Sequence, residues 1–144
     1  MKIVVINGPN LNLLGQRETE IYGEQTLADL EERLGAIGRT LDIEVQCLQF
    51  NGEGQIVEAV HAAGETADGI IINPAAYTHY SIAIRDALAA VPVPVVEVHI
   101  SRIYGRESFR AESMIAPVCV GGVWGFGPEG YEWALRALAT SLQQ

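Results

Sequence analysis

The sequence has little cysteine, little basic charge and no long apolar run. Its two cysteines, Cys47 and Cys119, stand apart with no CxxC or other ligand spacing, so neither a disulfide framework nor a cysteine metal centre is encoded. Both sit inside apolar stretches and read as small core residues in a reducing compartment. No apolar run approaches the roughly 20 residues that cross a bilayer. The opening Met1-Lys2-Ile3-Val4-Val5-Ile6 runs into Asn7-Gly8-Pro9, too short an apolar stretch for a secretory signal and without a small-residue cleavage site. A cytoplasmic protein is expected, with no membrane partner. Nine Lys and Arg stand against eighteen Asp and Glu, a net charge of −9. A nucleic-acid partner needs a basic field that this chain lacks. A small anionic substrate remains compatible, because a few arginines can invert the field inside one cleft. Arg17, Arg102, Arg106 and Arg110 all lie in polar stretches that follow strands.

Several ligand motifs are missing too. No GxGxxG follows the first apolar run, which argues against a dinucleotide site, and no GxxxxGK[ST] encodes a P-loop. No carboxylate cluster suits a hard cation. His79, His99 and Glu97 could in principle hold zinc, but no HxxxH or HxH pair presents two ligands from one element. No metal site is expected.

What is present is a regular alternation over one domain, residues 1–144. Strands are expected at Ile3 to Ile6, Ile43 to Leu48, Gly69 to Ile72, Val93 to Val98 and Val118 to Val120. Helical spacing runs through Leu27, Leu30, Leu34 and Ile37 behind a Thr26 cap. It recurs over Gln55 to Ala63, His79 to Ala90 and Tyr131 to Leu142. Five strands alternating with helices make a parallel sheet covered on both faces. Right-handed crossovers then give a flavodoxin-like three-layer α/β sandwich of strand order 2-1-3-4-5. The loop from Asn7 to about Gln25 is unusually long, and a loop of that length in a compact domain suits a lid.

Glu97-Val98-His99-Ile100-Ser101 closes the fourth strand. Residues i, i+2 and i+4 of a strand share a face, so Glu97, His99 and Ser101 line up at the carboxyl edge, where such sheets bind ligands. The loops leaving strands one, three and four converge there. They bring Asn10, Asn12, Arg17 and Tyr22 together with Asn73, Tyr77 and His79. Proton transfer is the chemistry this set offers. His99 is a natural general acid near neutrality, and Glu97 beside it would favour its protonated form. Tyr22 is a candidate base. A phenol is a weak acid, so it needs guanidinium groups within a few Å, shielded from water. Arg17 lies on the same loop, and Arg106 is a second candidate.

The chain resembles the type II 3-dehydroquinate dehydratases in blocks spread from Ile6 to about Leu135. They are Asn7-Gly8-Pro9-Asn10-Leu11-Asn12-Leu13-Leu14-Gly15-Gln16-Arg17-Glu18 with Ile21-Tyr22-Gly23, Asn73-Pro74-Ala75-Ala76-Tyr77-Thr78-His79, Ala83-Ile84-Arg85-Asp86-Ala87, Glu97 to Ser101, Arg106-Glu107-Ser108-Phe109-Arg110, Gly125-Phe126-Gly127-Pro128 and Gly130-Tyr131. The resemblance implies a hydro-lyase, without metal or organic cofactor, that reversibly dehydrates 3-dehydroquinate to 3-dehydroshikimate through an enolate. Its setting would be the shikimate pathway or quinate catabolism. Tyr22 would be the base, held as phenolate by Arg17. Asn10 would hold the enolate oxygen through a water. His99 would protonate the departing hydroxyl, with Asn73 orienting it. Ile100 and Ser101 would grip the substrate carboxylate, while His79 and Arg110 bind ring hydroxyls. Asp86 would reach in from a neighbouring subunit, the family being built of trimers assembled into a dodecamer.

The pattern departs from the family at a few places. Ala75 replaces a usual Gly, Arg102 a usual Asn and Thr19 a common Pro. Phe50-Asn51-Gly52 and Ala111-Glu112 replace more polar or basic sequences. A flavodoxin-like module holding a flavin or nucleotide at the same edge, and an assembly subunit with a dead site, remain as alternatives.

Overall fold

The computed structural model describes Met1–Gln144 throughout. Five parallel strands form one sheet: β1 (Lys2–Asn7), β2 (Glu44–Gln49), β3 (Gly69–Asn73), β4 (Val95–His99) and β5 (Gly121–Trp124), in the order β2-β1-β3-β4-β5. This is the expected flavodoxin-like arrangement. The long helices are α2 (Leu27–Thr40), α3 (Glu53–Thr66), α4 (Ile82–Ala90) and α5 (Glu129–Leu142), and a single turn, α1 (Thr19–Tyr22), precedes them.

Strand alternation divides the core in two. Ile3 and Val5 of β1, Ile71 of β3, and Val96 and Val98 of β4 pack against Leu30 and Leu34 of α2 and Leu135 and Leu138 of α5. Val4, Ile6, Ile70, Ile72 and Val95 pack the other way, against Ile56 and Val60 of α3 and Ile84 and Leu88 of α4. Each such side chain contributes about 1.5–3 kcal/mol on full burial. These apolar runs fix the sheet as the central layer. Thr26 caps α2 as expected. Its hydroxyl accepts from Asp29 N–H and the Asp29 carboxylate accepts from Thr26 N–H, both at 3.1 Å.

Three expectations need correction. The stretch His79 to Ala90 is not one helix. Ala75–His79 forms a separate 3-10 turn, and the Ser81 hydroxyl accepts from Ile84 N–H at 3.0 Å, so α4 starts at Ile82. The fifth strand is not Val118 to Val120. Ala116–Val118 is a 3-10 turn containing Pro117, whose fixed φ and missing N–H suit a turn, and β5 begins instead at Gly121. Val93 to Val98 is displaced to Val95–His99, because Pro92 and Pro94 have no N–H to give to the ladder. The long first loop is also partly ordered into a 3-10 turn at Leu11–Leu13 and α1. Cys47 and Cys119 are free and half-buried against the two core halves. Burial, with Glu31 near Cys47 and Glu97 near Cys119, pushes both thiols up to about 12, so neither ionises near neutrality.

Candidate active site

Asn7 and Asn73 are register partners at the carboxyl ends of β1 and β3. There the chain winding reverses, and the first and third loops part to leave a cavity. Gly8 N–H donates to the Asn73 carbonyl at 2.8 Å. A Cβ on Gly8 would lie 2.6 Å from the Pro74 backbone, so only glycine lets the two loops meet so closely. The end of β2 braces the first loop. Gln49 Nε2 donates to the Gly8 carbonyl at 3.1 Å and to Asn51 Oδ1 at 2.9 Å. That same oxygen accepts from Asn10 N–H at 3.1 Å, and Asn10 turns with φ 70° to point the loop over the cavity. The Tyr77 hydroxyl, outside the cavity, donates to the Asn51 carbonyl at 3.0 Å.

The cavity encloses about 110 Å³ and is lined by Asn10, Arg17, Tyr22, Asn73, His79, His99, Ile100, Ser101, Arg106 and Arg110, with Leu11, Leu14 and Ile103 among its apolar walls. Four separate chain segments thus deliver one polar set. Arg106 Nη1 donates to the Tyr22 hydroxyl oxygen at 2.9 Å and to Ser101 Oγ at 3.2 Å. The Arg17 guanidinium carbon lies 4.9 Å from the centre of the Tyr22 ring and that of Arg106 lies 5.4 Å from it. A carboxylate, Glu18, stands 3.4 Å from Arg17 and 3.9 Å from Arg106. Two cations therefore flank one phenol.

His99 is 4% exposed and Glu97 5%. Imidazole Nε2 lies 2.6 Å from Glu97 Oε2. A carboxylate only accepts, so Nε2 carries a proton and Nδ1 is left for the cavity. Glu97 Oε2 also accepts from the Ser113 hydroxyl at 2.7 Å. Val96, Val98 and Ile100 point into the core on the opposite side, as the i, i+2 alternation requires. The His79 and His99 rings stack at 6.5 Å with 22° between planes. Burial pulls the His79 pKa below the ordinary value. The neighbouring His99 and Arg110 push the same way, against the hydrogen bond to Glu112. His79 Nδ1 lies 2.7 Å from the Glu112 carbonyl. A carbonyl only accepts, so Nδ1 holds the proton and neutral Nε2 is an acceptor.

Some expected site residues stand elsewhere. Glu97 lies behind His99 and does not line the cavity. Asp86 is exposed on α4, 3.8 Å from Arg85 and away from this chain's own cavity. Asn73 does not bond His99. Its amide Nδ2 donates to the Tyr131 hydroxyl at 2.8 Å and its Oδ1 accepts from Ala75 N–H at 3.1 Å, so the group that orients His99 is Glu97. Arg102 is exposed beside Tyr104, Trp124 and Phe126, outside the cavity that Ser101 lines. Sequence reasoning passed over Gln49 and Ser113, and named Asn51 only within a departure from the family pattern. Each acts through hydrogen bonds to residues distant in sequence, and no local spacing marks them.

The family model for class II dehydroquinases matches residues 1–139. The chain belongs to that family. The 3-dehydroquinate dehydratase of Desulforudis audaxviator is 53% identical over 95% of this chain and 91% of that protein. That of Geotalea daltonii is 51% identical over the full length of both. The crystal structure of type II dehydroquinase from Butyrivibrio crossotus superposes with a TM-score of 0.94 at 49% identity, covering 96% of this chain and 97% of that one. Within this class II dehydroquinase fold, Ala75 adopts φ 54°. That is left-handed backbone in which a Cβ is strained.

Proposed function

We propose that this chain catalyses the reversible dehydration of 3-dehydroquinate to 3-dehydroshikimate, by proton abstraction alpha to a ketone followed by loss of hydroxide as water. The observation that carries the mechanism is the Tyr22 hydroxyl, 2.9 Å from Arg106 and flanked by Arg17, in the same cavity as the Glu97-backed His99. The phenolate of Tyr22 takes the alpha proton. The electron pair moves to the ketone oxygen as an enolate, which the Asn10 loop is placed to stabilise. Fixed donors stabilise developing charge better than water because they need not reorganise. The enolate then collapses, the carbon–oxygen bond beta to the ketone breaks, and His99, acting as an imidazolium with Nε2–H held on Glu97, passes its Nδ1 proton to the leaving oxygen, which departs as water. Glu97 and Ser113 hold the imidazole for that step. Ser101, the Ile100 backbone and Arg106 receive the substrate carboxylate. Neutral His79 accepts from a ring hydroxyl, and Arg110 donates to another. This division leaves the overall negative charge of the chain outside the cleft.

We also propose that Asp86 completes the site of a neighbouring subunit in a dodecamer built of trimers. Its side chain is 69% exposed, and its ion-pair partner in this chain is the sequence neighbour Arg85, at 3.8 Å.

The test is ultraviolet absorbance of the conjugated enone on addition of 3-dehydroquinate, with and without EDTA, beside a sizing column. Turnover unaffected by chelator is expected. A protein that folds, fails to turn the substrate over and binds flavin instead would establish the binding-module alternative.

A further inference from the structure

The buried hydroxyl of Tyr131 has no part in the chemistry above, yet it joins the two strands that frame the cavity. Tyr131 lies in the first turn of α5 and is fully buried. Its hydroxyl donates to Asn7 Oδ1 at 2.6 Å and accepts from Asn73 Nδ2 at 2.8 Å. Those asparagines are register partners at the ends of β1 and β3, at the winding reversal. Asn73 lines the cavity; Asn7 and Tyr131 do not. Oδ1 of Asn73 is fixed separately, by the N–H of left-handed Ala75. An asparagine amide unheld at one end can exchange its oxygen and nitrogen by rotating about χ2. With a donor on Oδ1 and an acceptor on Nδ2, that rotation is blocked. Only the second N–H of Nδ2 is left to meet a ligand.

We propose that Tyr131 is a positioning residue for the dehydration reaction, locking the Asn73 amide so that its free N–H faces the substrate. The inference rests on the dehydratase reading of the cavity. Burial holds the hydroxyl above the ordinary phenol range, so it keeps its proton and bonds both asparagines at once. Asn73 Nδ2 can only donate, so its bond to the Tyr131 oxygen does not depend on Asn7, which takes the Tyr131 proton on Oδ1 and whose own Nδ2 has no partner.

The test is a double-mutant cycle read by steady-state kinetics. Wild-type turnover of 3-dehydroquinate is established first; its absence would sink the dehydratase reading and not the geometry of the clamp. Tyr131→Phe is then expected to lower kcat/KM by roughly tenfold to a hundredfold, the scale of a small misplacement of a substrate-facing group. In an Asn73→Ala background the same change should cost less than about twofold, because nothing is left to position. Asn7→Ala, which keeps the Tyr131–Asn73 bond, should lower the melting temperature while leaving most of kcat/KM. An undiminished effect of Tyr131→Phe beside Asn73→Ala, or equal kinetic losses from Tyr131→Phe and Asn7→Ala, would overturn the positioning role. Should Tyr131→Phe not fold, hydrogen exchange of the Asn73 side-chain amide in the wild-type protein decides instead. One strongly protected N–H is expected, and two fast-exchanging protons would refute the lock.

Discussion

Arg106 Nη1 donates to the Tyr22 hydroxyl oxygen at 2.9 Å across 84 residues of sequence. The Arg106 side chain is only 14% exposed, so its charge acts on the phenol with little solvent screening. Removing that hydroxyl removes the proposed base. Tyr22→Phe should therefore abolish both turnover and exchange of the substrate alpha proton with deuterated solvent, while circular dichroism shows an intact fold. Arg106→Gln should lower kcat by about 10²–10³, within the usual range for a group that makes acid–base catalysis possible. Retained proton exchange in Tyr22→Phe would exclude the phenol as base.

His99 and Glu97 make the second half of the site, and in the proposed mechanism they act later. His99→Ala should lower kcat by about 10²–10⁴. Glu97→Gln, which removes the charge behind the imidazole, should have a smaller effect of the same kind. Both variants should still exchange the alpha proton, because abstraction precedes the step they serve. Nuclear magnetic resonance of substrate in deuterated buffer separates the two steps. Equal loss of exchange and elimination in His99→Ala would reject its assignment to the leaving hydroxyl.

Much of this arrangement was legible in the sequence because it depends on short-range rules. The β-branched runs name β1, β3 and β4, and the Thr26 cap names the start of α2. The alternation of Glu97, His99 and Ser101 names the strand face that carries His99 and Ser101 to the cavity. What escaped depends on tertiary pairing or on glycine. β5 opens with Gly121-Gly122, which reads as a turn, and it is a strand only because Val96 and Glu97 of β4 offer it a partner. Glu97 was expected at the substrate and stands behind His99, since strand periodicity gives a face and not a depth. Asn73 was expected on His99 and is bonded to Tyr131, 58 residues away, a distance over which no spacing rule operates.

Ala75 offers a test of backbone strain at the cavity wall. Its φ of 54° places a Cβ in the left-handed region, which costs an L-residue about 1–2 kcal/mol. Glycine avoids that strain and gives back part of the gain through a more flexible unfolded chain. Ala75→Gly should raise stability by up to about 1 kcal/mol, which for a chain of this size is roughly 2–4 °C in Tm. Calorimetry checks this directly. A lower Tm would mean that the methyl group packs better than its conformation costs.

His79 ties the site to pH. Its pKa is lowered in the folded chain, by burial first, so the folded state resists protonation that the unfolded chain accepts. Above about pH 6.5, the ordinary histidine value, the ring is neutral in both states and contributes no pH dependence. As pH falls below that value the unfolded chain gains the proton first, and stability is lost progressively down through the folded pKa. A His79→Gln variant has nothing to titrate there. The stability advantage of wild type over His79→Gln, read from urea midpoints, should therefore shrink between pH 7.5 and pH 5. The folded ring is protonated only at lower pH than the unfolded one; as that happens the neutral Nε2 acceptor is lost, so KM for 3-dehydroquinate should rise with acidification in the wild type and stay flatter in the variant. A constant gap in midpoint would mean that His79 takes up its proton as readily folded as unfolded, and that the hydrogen bond to the Glu112 carbonyl offsets burial.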